Sequence, residues 1–153
     1  MTPARAAARL RAMPIRPFAA TLTLVVALLA LPAAASAADF VFFKTPSGNI
    51  GCAFIDFHGR SLRCDLREIT NGPPPRPASC EFDYGQAFGL TPRGRAHRLC
   101  VSDSVMDPSA RTVRYGHSIR RFGIRCTSRR SGLRCVNRRA HGFALSRDAQ
   151  RLF

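Results

Sequence analysis

Apolar and polar positions alternate most clearly in two stretches that echo each other. In NIGCAFIDFHGRSLRCDL, residues 49 to 66, Ile50, Cys52 and Phe54 share one parity, as do Leu62, Cys64 and Leu66. Neighbouring side chains of an extended chain point to opposite faces, so each triplet lies on one side of a strand. The stretch from 123 to 137, GIRCTSRRSGLRCVN, repeats I-x-C, a turn and L-R-C. There Phe122, Ile124 and Cys126 face Leu133 and Cys135. Both stretches are predicted to be antiparallel hairpins with an inward cysteine on each arm.

Turn chemistry sets the register. With Cys52 opposite Cys64, the first hairpin closes on Phe57-His58-Gly59, whose last position asks for a left-handed residue that Gly59 supplies. Asp56 and Arg60 then face each other at its base. With Cys126 opposite Cys135, the second closes on Arg129-Arg130-Ser131-Gly132. Directly opposed residues of antiparallel strands lie close enough for a disulfide, which leaves Cys80 to pair with Cys100. Three such bridges would contribute about 3 kcal/mol each in the chain-entropy account.

Elsewhere the pattern is weaker. Residues 95 to 105, RAHRLCVSDSV, alternate enough to be read as a strand. Residues 67 to 79 hold three consecutive prolines and Pro77, which cannot feed a sheet ladder and mark an extended connector. In RRAHGFALSR, residues 138 to 147, Phe143 and Leu145 alternate as a strand. Gly142 permits a close backbone approach, and His141 shares the parity of Phe143 as a half-buried, hydrogen-bonded structural residue. Ser146 with Asp148 offers a cap for one helical turn. The expected fold is all-β: a small disulfide-stapled antiparallel sheet, sandwich or barrel-like domain built on two cysteine-bridged hairpins, with at most short helical turns.

The N-terminal pattern differs in kind. Arg5, Arg9, Arg11 and Arg16 precede an apolar run over residues 18 to 31, and Ala35-Ser36-Ala37 forms an A-x-A site. Residues 1 to 37 are expected to be a cleaved secretory signal, with cleavage after Ala38 as the alternative. Residues 38 to 153 are then one exported domain with no further membrane span, secreted or held in the periplasm or cell envelope. All six cysteines, Cys52, Cys64, Cys80, Cys100, Cys126 and Cys135, fall in it, as suits a disulfide framework in an oxidising compartment. Their wide spacing argues against zinc, a redox C-x-x-C motif and haem attachment, so no metal or cofactor is expected.

Several segments also carry a resemblance. FKTPSGNIGC (43 to 52), RCDL (63 to 66), PPPRPASC (73 to 80), DYGQA (83 to 87), RYG (114 to 116), SGLRCVN (131 to 137), HGFALSR (141 to 147) and the final RLF occur in this order. Together they resemble a domain-of-unknown-function family of small secreted, six-cysteine bacterial proteins, over nearly the whole mature chain. The chain departs from that pattern in lacking the connector tryptophan and in having Ala140 where a glycine usually precedes His-Gly-Phe. The resemblance implies an exported, disulfide-bonded domain and supplies no activity, substrate or catalytic residue.

Catalytic signatures are sparse. Ser146 or Ser104, His141 and Asp103 supply the residue types of a hydrolase, and Glu81 with Asp83 a carboxylate pair. No nucleophile elbow, H-E-x-x-H or catalytic-cysteine motif accompanies them. The expectation is a non-enzymatic domain.

Charge is the informative feature. Residues 39 to 107 carry eight basic and eight acidic side chains, whereas residues 108 to 147 carry eleven arginines and no acid. If Ile124, Cys126, Leu133 and Cys135 face inward, Arg121, Arg125, Arg134 and Arg138 project from the other face of the hairpin, with Arg129 and Arg130 at its tip. Crowded like charges on one strand face repel, and a bound anion would relieve them. A GC-rich coding bias would explain arginine in place of lysine, and charge runs are usually plain solvated faces; neither explains the missing acids. The expected partners are an anionic polysaccharide, lipid headgroups or an acidic protein, the last including a secreted inhibitor or adaptor role. With no tryptophan and only Tyr84 and Tyr115, sequence-specific nucleic-acid recognition is not expected.

Overall fold

A computed structural model describes residues 39–153. The expected signal segment lies outside the described residues. Among these, every regular element is a strand. Strands β1 (Asp39–Lys44), β2 (Ile50–Asp56), β3 (Arg60–Leu66), β4 (Asp83–Leu90) and β5 (His97–Val101) form an antiparallel meander. The short β6 (Arg111–Thr112) joins the outer side of β1 in parallel, giving the order β5-β4-β3-β2-β1-β6. The second sheet is an antiparallel meander of β7 (Ser118–Arg121), β8 (Ile124–Arg129), β9 (Gly132–Val136), β10 (Gly142–Leu145) and β11 (Gln150–Leu152).

Both sheets feed one core. Ile50, Cys52, Phe54, Leu62, Cys64 and Leu66 from the first sheet meet Ile124, Cys126, Leu133, Cys135, Phe143 and Leu145 from the second. Ring pairs cross between the sheets: Phe54 with Phe122 at 6.1 Å and Phe88 with Phe143 at 6.2 Å. The barrel-like alternative is therefore corrected to a sandwich. Each sheet keeps free edges and buries one face against the other, as in a two-layer sandwich.

The cysteine hairpins have the expected register. Cys52 lies opposite Cys64 and Cys126 opposite Cys135, with Cα separations of 4.1 and 4.0 Å. The third disulfide, Cys80–Cys100, ties the proline-rich connector to β5. The Asp56–Arg60 pair closes the base of the first turn at 3.2 Å. That turn differs in detail, because His58 itself takes φ 50° and Gly59 opens to φ 127°.

Three local features escaped the pattern. Phe122 (φ 54°) and Gly123 (φ 81°) form a two-residue turn that makes β7 and β8 a hairpin, with Arg121 opposite Ile124. Positive φ at both central positions is the type I′ signature, usually announced by Asn-Gly. Ser146 caps no helix. Its hydroxyl accepts from the Ala149 N–H at 3.0 Å and its own N–H donates to the Ala149 carbonyl, so the segment closes the β10–β11 hairpin. Finally, Ala140 sits at φ 62°, a left-handed position that explains why glycine suits it. Gly142 is a close approach as expected: a Cβ there would lie 2.0 Å from the Cys135 carbonyl oxygen.

Two polar clusters fasten the sandwich. The buried Asn137 donates to the Thr91 and Gly94 carbonyls (2.9 and 2.7 Å) and accepts from the N–H groups of Arg139 and His141 (2.9 and 3.1 Å). It thereby joins the end of β9 to the β4–β5 loop with all its hydrogen-bonding capacity used in place. On the first sheet, Arg63 forks onto Asp65 at 2.9 and 3.0 Å and reaches the Asp103 carboxylate at 2.7 Å. Asp65, itself buried, also accepts from Ser104 Oγ and the Val105 N–H.

Candidate anion-binding face

The second sheet alternates cleanly. Along β8 and β9, Ile124, Cys126, Ser128, Leu133 and Cys135 are buried, while Arg125, Arg129 and Arg134 are exposed. Register extends the outer face sideways. Arg120 lies opposite Arg125, Arg134 opposite Thr127 on one side and Ala144 on the other, and Arg151 opposite Ala144. Five strand arginines thus share one face: Arg120 and Arg125 oppose each other directly, while Arg129, Arg134 and Arg151 lie opposite the small residues Gly132, Thr127 and Ala144.

Arg120, Arg125, Arg129, Arg134 and Arg138 border an open depression of about 590 Å³ that contains no carboxylate. Arg129 and Arg134 also border an adjoining trough of about 380 Å³ that runs to Arg151 over Gly132 and Ala144. From strand spacing, the face is roughly 20 Å wide from β7 to β11. Among the described residues, none of these six arginines forms a salt bridge. Arg134 rests over the Phe153 ring, 4.6 Å from its centroid, which orients the guanidinium without neutralising it.

Of the arginines expected here, Arg125, Arg129, Arg134 and Arg138 border this depression. Arg130 turns at the hairpin tip over the Tyr115 ring, at 5.5 Å. Arg121 does not belong to the face. It lies opposite the buried Ile124, pairs with Asp39 and stacks on Phe122. The reason is the turn at Phe122-Gly123: side-chain parity does not carry across a reversal, and Arg120 takes the place expected for Arg121. Arg120 and Arg151 were missed; recognising Phe-Gly as a hairpin turn would have supplied the first.

The charge environment of Arg63 shows the contrast. Burial works against its charge, but the hydrogen bonds and charges of Asp65 and Asp103 outweigh this and raise its pKa. In return the Arg63 guanidinium holds the Asp103 carboxyl below its usual range.

The residues with catalytic side chains are dispersed among other duties. Ser104 donates to Asp65, Asp103 accepts from Arg63, and Ser146 is engaged in its hairpin turn. His141 is half-buried as expected, but its Nδ1 has no hydrogen-bond partner. Glu81 and Asp83 are exposed at the start of β4. All six cysteines are bridged. No cluster of three or more histidine, cysteine or carboxylate side chains suited to a metal occurs among the described residues. Nor does any helix among them have the length and apolarity to cross a membrane.

Fold and face together define a disulfide-bonded β-sandwich with one arginine-lined sheet surface. Residues 23–153 match the model of a family of unknown function, DUF6636, and the chain belongs to that family, in keeping with its motifs. Comparison with curated proteins and with solved structures gave no match.

Proposed function

We propose that this is an exported, non-enzymatic domain that binds an anionic ligand of the cell envelope or extracellular space. The ligand lies on the outer face of the five-stranded sheet, against Arg120, Arg125, Arg129, Arg134, Arg138 and Arg151. The supporting observation is that none of the six has a carboxylate partner among the described residues, although Arg63 in the same protein has two. Guanidinium forks suit carboxylate, sulfate and phosphate groups, and a one-sign face attracts polyanions over about a Debye length. The three disulfides suit an oxidising compartment. An inhibitor acting through the tip of β8–β9 has less support, because Arg130 lies back over Tyr115 rather than projecting.

The test is binding of the oxidised protein to anionic polymers across a salt series, beside Arg125→Gln/Arg134→Gln and, as a control off the face, Arg121→Gln. Salt-sensitive binding that the double variant loses and the control keeps is the expected result. Equal binding by all three proteins would remove the face from consideration.

A further inference from the structure

One cleft borders the arginine face without being part of it. It lies where the β1–β2 turn, the β8–β9 tip and the β10–β11 turn meet, with Tyr115 on its wall, and its volume is about 460 Å³. That is within the range of small-molecule sites. Four segments distant in the chain converge there: TPSGN, RYG, SG and LSR, each within a motif quoted above.

Its chemistry differs from that of the face. Among the lining residues the hydroxyls of Tyr115 and Ser131 are unengaged within the described residues and lie alongside Arg129, Arg130 and Arg147, whereas those of Thr45, Ser47 and Ser146 are used in bonds to one another and to backbone groups. Arg130 is held over the Tyr115 ring, so its fork is oriented before any ligand arrives. Arg147 faces Glu68 at 3.3 Å in an exposed pair. The one carboxylate of the lining, Asp148, accepts the Thr70 hydroxyl at 2.7 Å. The cleft is continuous with the face: Arg129, Ser131, Gly132 and Ser146 line both it and the trough that leads to Arg151.

A simple anion has no use for unengaged hydroxyls such as those of Tyr115 and Ser131, which both donate and accept. A sugar acid does, since it carries several hydroxyls and a carboxylate on one small ring. We infer that the ligand is an acidic polysaccharide, one uronic-acid-type unit of which occupies the cleft while the following units run onto the arginine face. This rests on the proposed anion-binding role of the face and narrows it to a carbohydrate.

The probes are a linear oligomer of uronic acids, graded in length, and inorganic polyphosphate of matched charge, each titrated against the oxidised protein at low salt. The variants are Arg130→Gln and Tyr115→Phe in the cleft and Arg125→Gln/Arg134→Gln on the face, with melting curves confirming that each folds. The uronate oligomer is expected to bind about tenfold tighter than polyphosphate, with Arg130→Gln costing about tenfold and Tyr115→Phe about fivefold for the uronate alone. The face variant weakens both ligands. Equal affinity for the two, with the cleft variants silent, would overturn the carbohydrate inference and leave the face standing. Tighter binding of single-stranded nucleic acid or anionic vesicles than of the uronate would also overturn it. Failure of every polyanion to bind would overturn the face as well.

Discussion

The hairpins β2–β3 and β8–β9 share an inner plan and differ on the outside. Both place a cysteine on each arm, bridge directly across, and follow with leucine, arginine and cysteine: Leu62-Arg63-Cys64 and Leu133-Arg134-Cys135. Both leucines and all four cysteines are at most 1% exposed. On the outer side the first hairpin is covered. Gly51 and Ala53 are buried, and Met106 sits so close to Gly51 that a Cβ would meet its sulfur at 2.7 Å. Arg63, with 11% of its side chain exposed, is matched to Asp65 and Asp103. Its counterpart Arg134 is open to solvent, flanked by Thr127 and Ala144, with no acid beside it. The same local sequence therefore supplies an internal control. At this position of β2–β3 the arginine has two carboxylate partners, and at the equivalent position of β8–β9 it has none among the described residues.

The comparison breaks first at Asp65. Asp65→Ala would leave Arg63 half-paired and the Val105 N–H without its acceptor, and should cost about 3 kcal/mol in urea unfolding. Arg134→Gln in the same assay should change stability by less than about 0.5 kcal/mol. Equal losses would mean that the two arginines are both structural. Next comes the turn after β9. Ala140→Gly should stabilise the protein by about 1 kcal/mol, because the left-handed backbone that strains alanine suits glycine. An unchanged or lower melting temperature would refute that account.

A smaller effect is expected on the face itself. Arg125→Gln relieves direct opposition to Arg120 and should raise stability by about 0.5 kcal/mol while weakening polyanion binding, a trade that a purely solvated residue would not show. The smallest concerns pH. Asp103 has a lowered pKa in the fold, so its contribution is present above the unfolded value near 3.9 and fades as pH falls through the folded one. Because Asp103 is largely exposed, Asp103→Asn should cost only about 0.3 kcal/mol at neutral pH, with the difference from wild type vanishing in acid.

Both cysteine hairpins were legible because period-two alternation and paired cysteines constrain each other: a one-residue slip would have sent Cys52 or Cys126 to the solvent face. The opposition of Asp56 to Arg60 and the tight contact at Gly142 followed from that register. The β7–β8 hairpin was not legible, because phenylalanine seldom takes the left-handed turn position, and the error propagated to Arg121. Asn137 and the Arg63–Asp103 pair depend on partners 40 to 46 positions away, beyond the reach of local pattern. The cleft beside Tyr115 draws on four such segments, which only the assembled sandwich brings together.

One further property follows from where β7 lies. It is an edge strand, with one row of backbone N–H and C=O groups left unmatched, and it ends in Arg120 and Arg121. Charge on an edge strand discourages a second chain from adding to the sheet, and Arg120, which has no acid partner among the described residues, supplies it here while Arg121 is paired with Asp39. A polyanion that neutralised Arg120 would lower that barrier, and turbidity at saturating ligand would report β7 edges meeting rather than specific recognition. Variants meant to measure affinity belong on the interior strands β8 and β9, where removing a charge exposes no open edge.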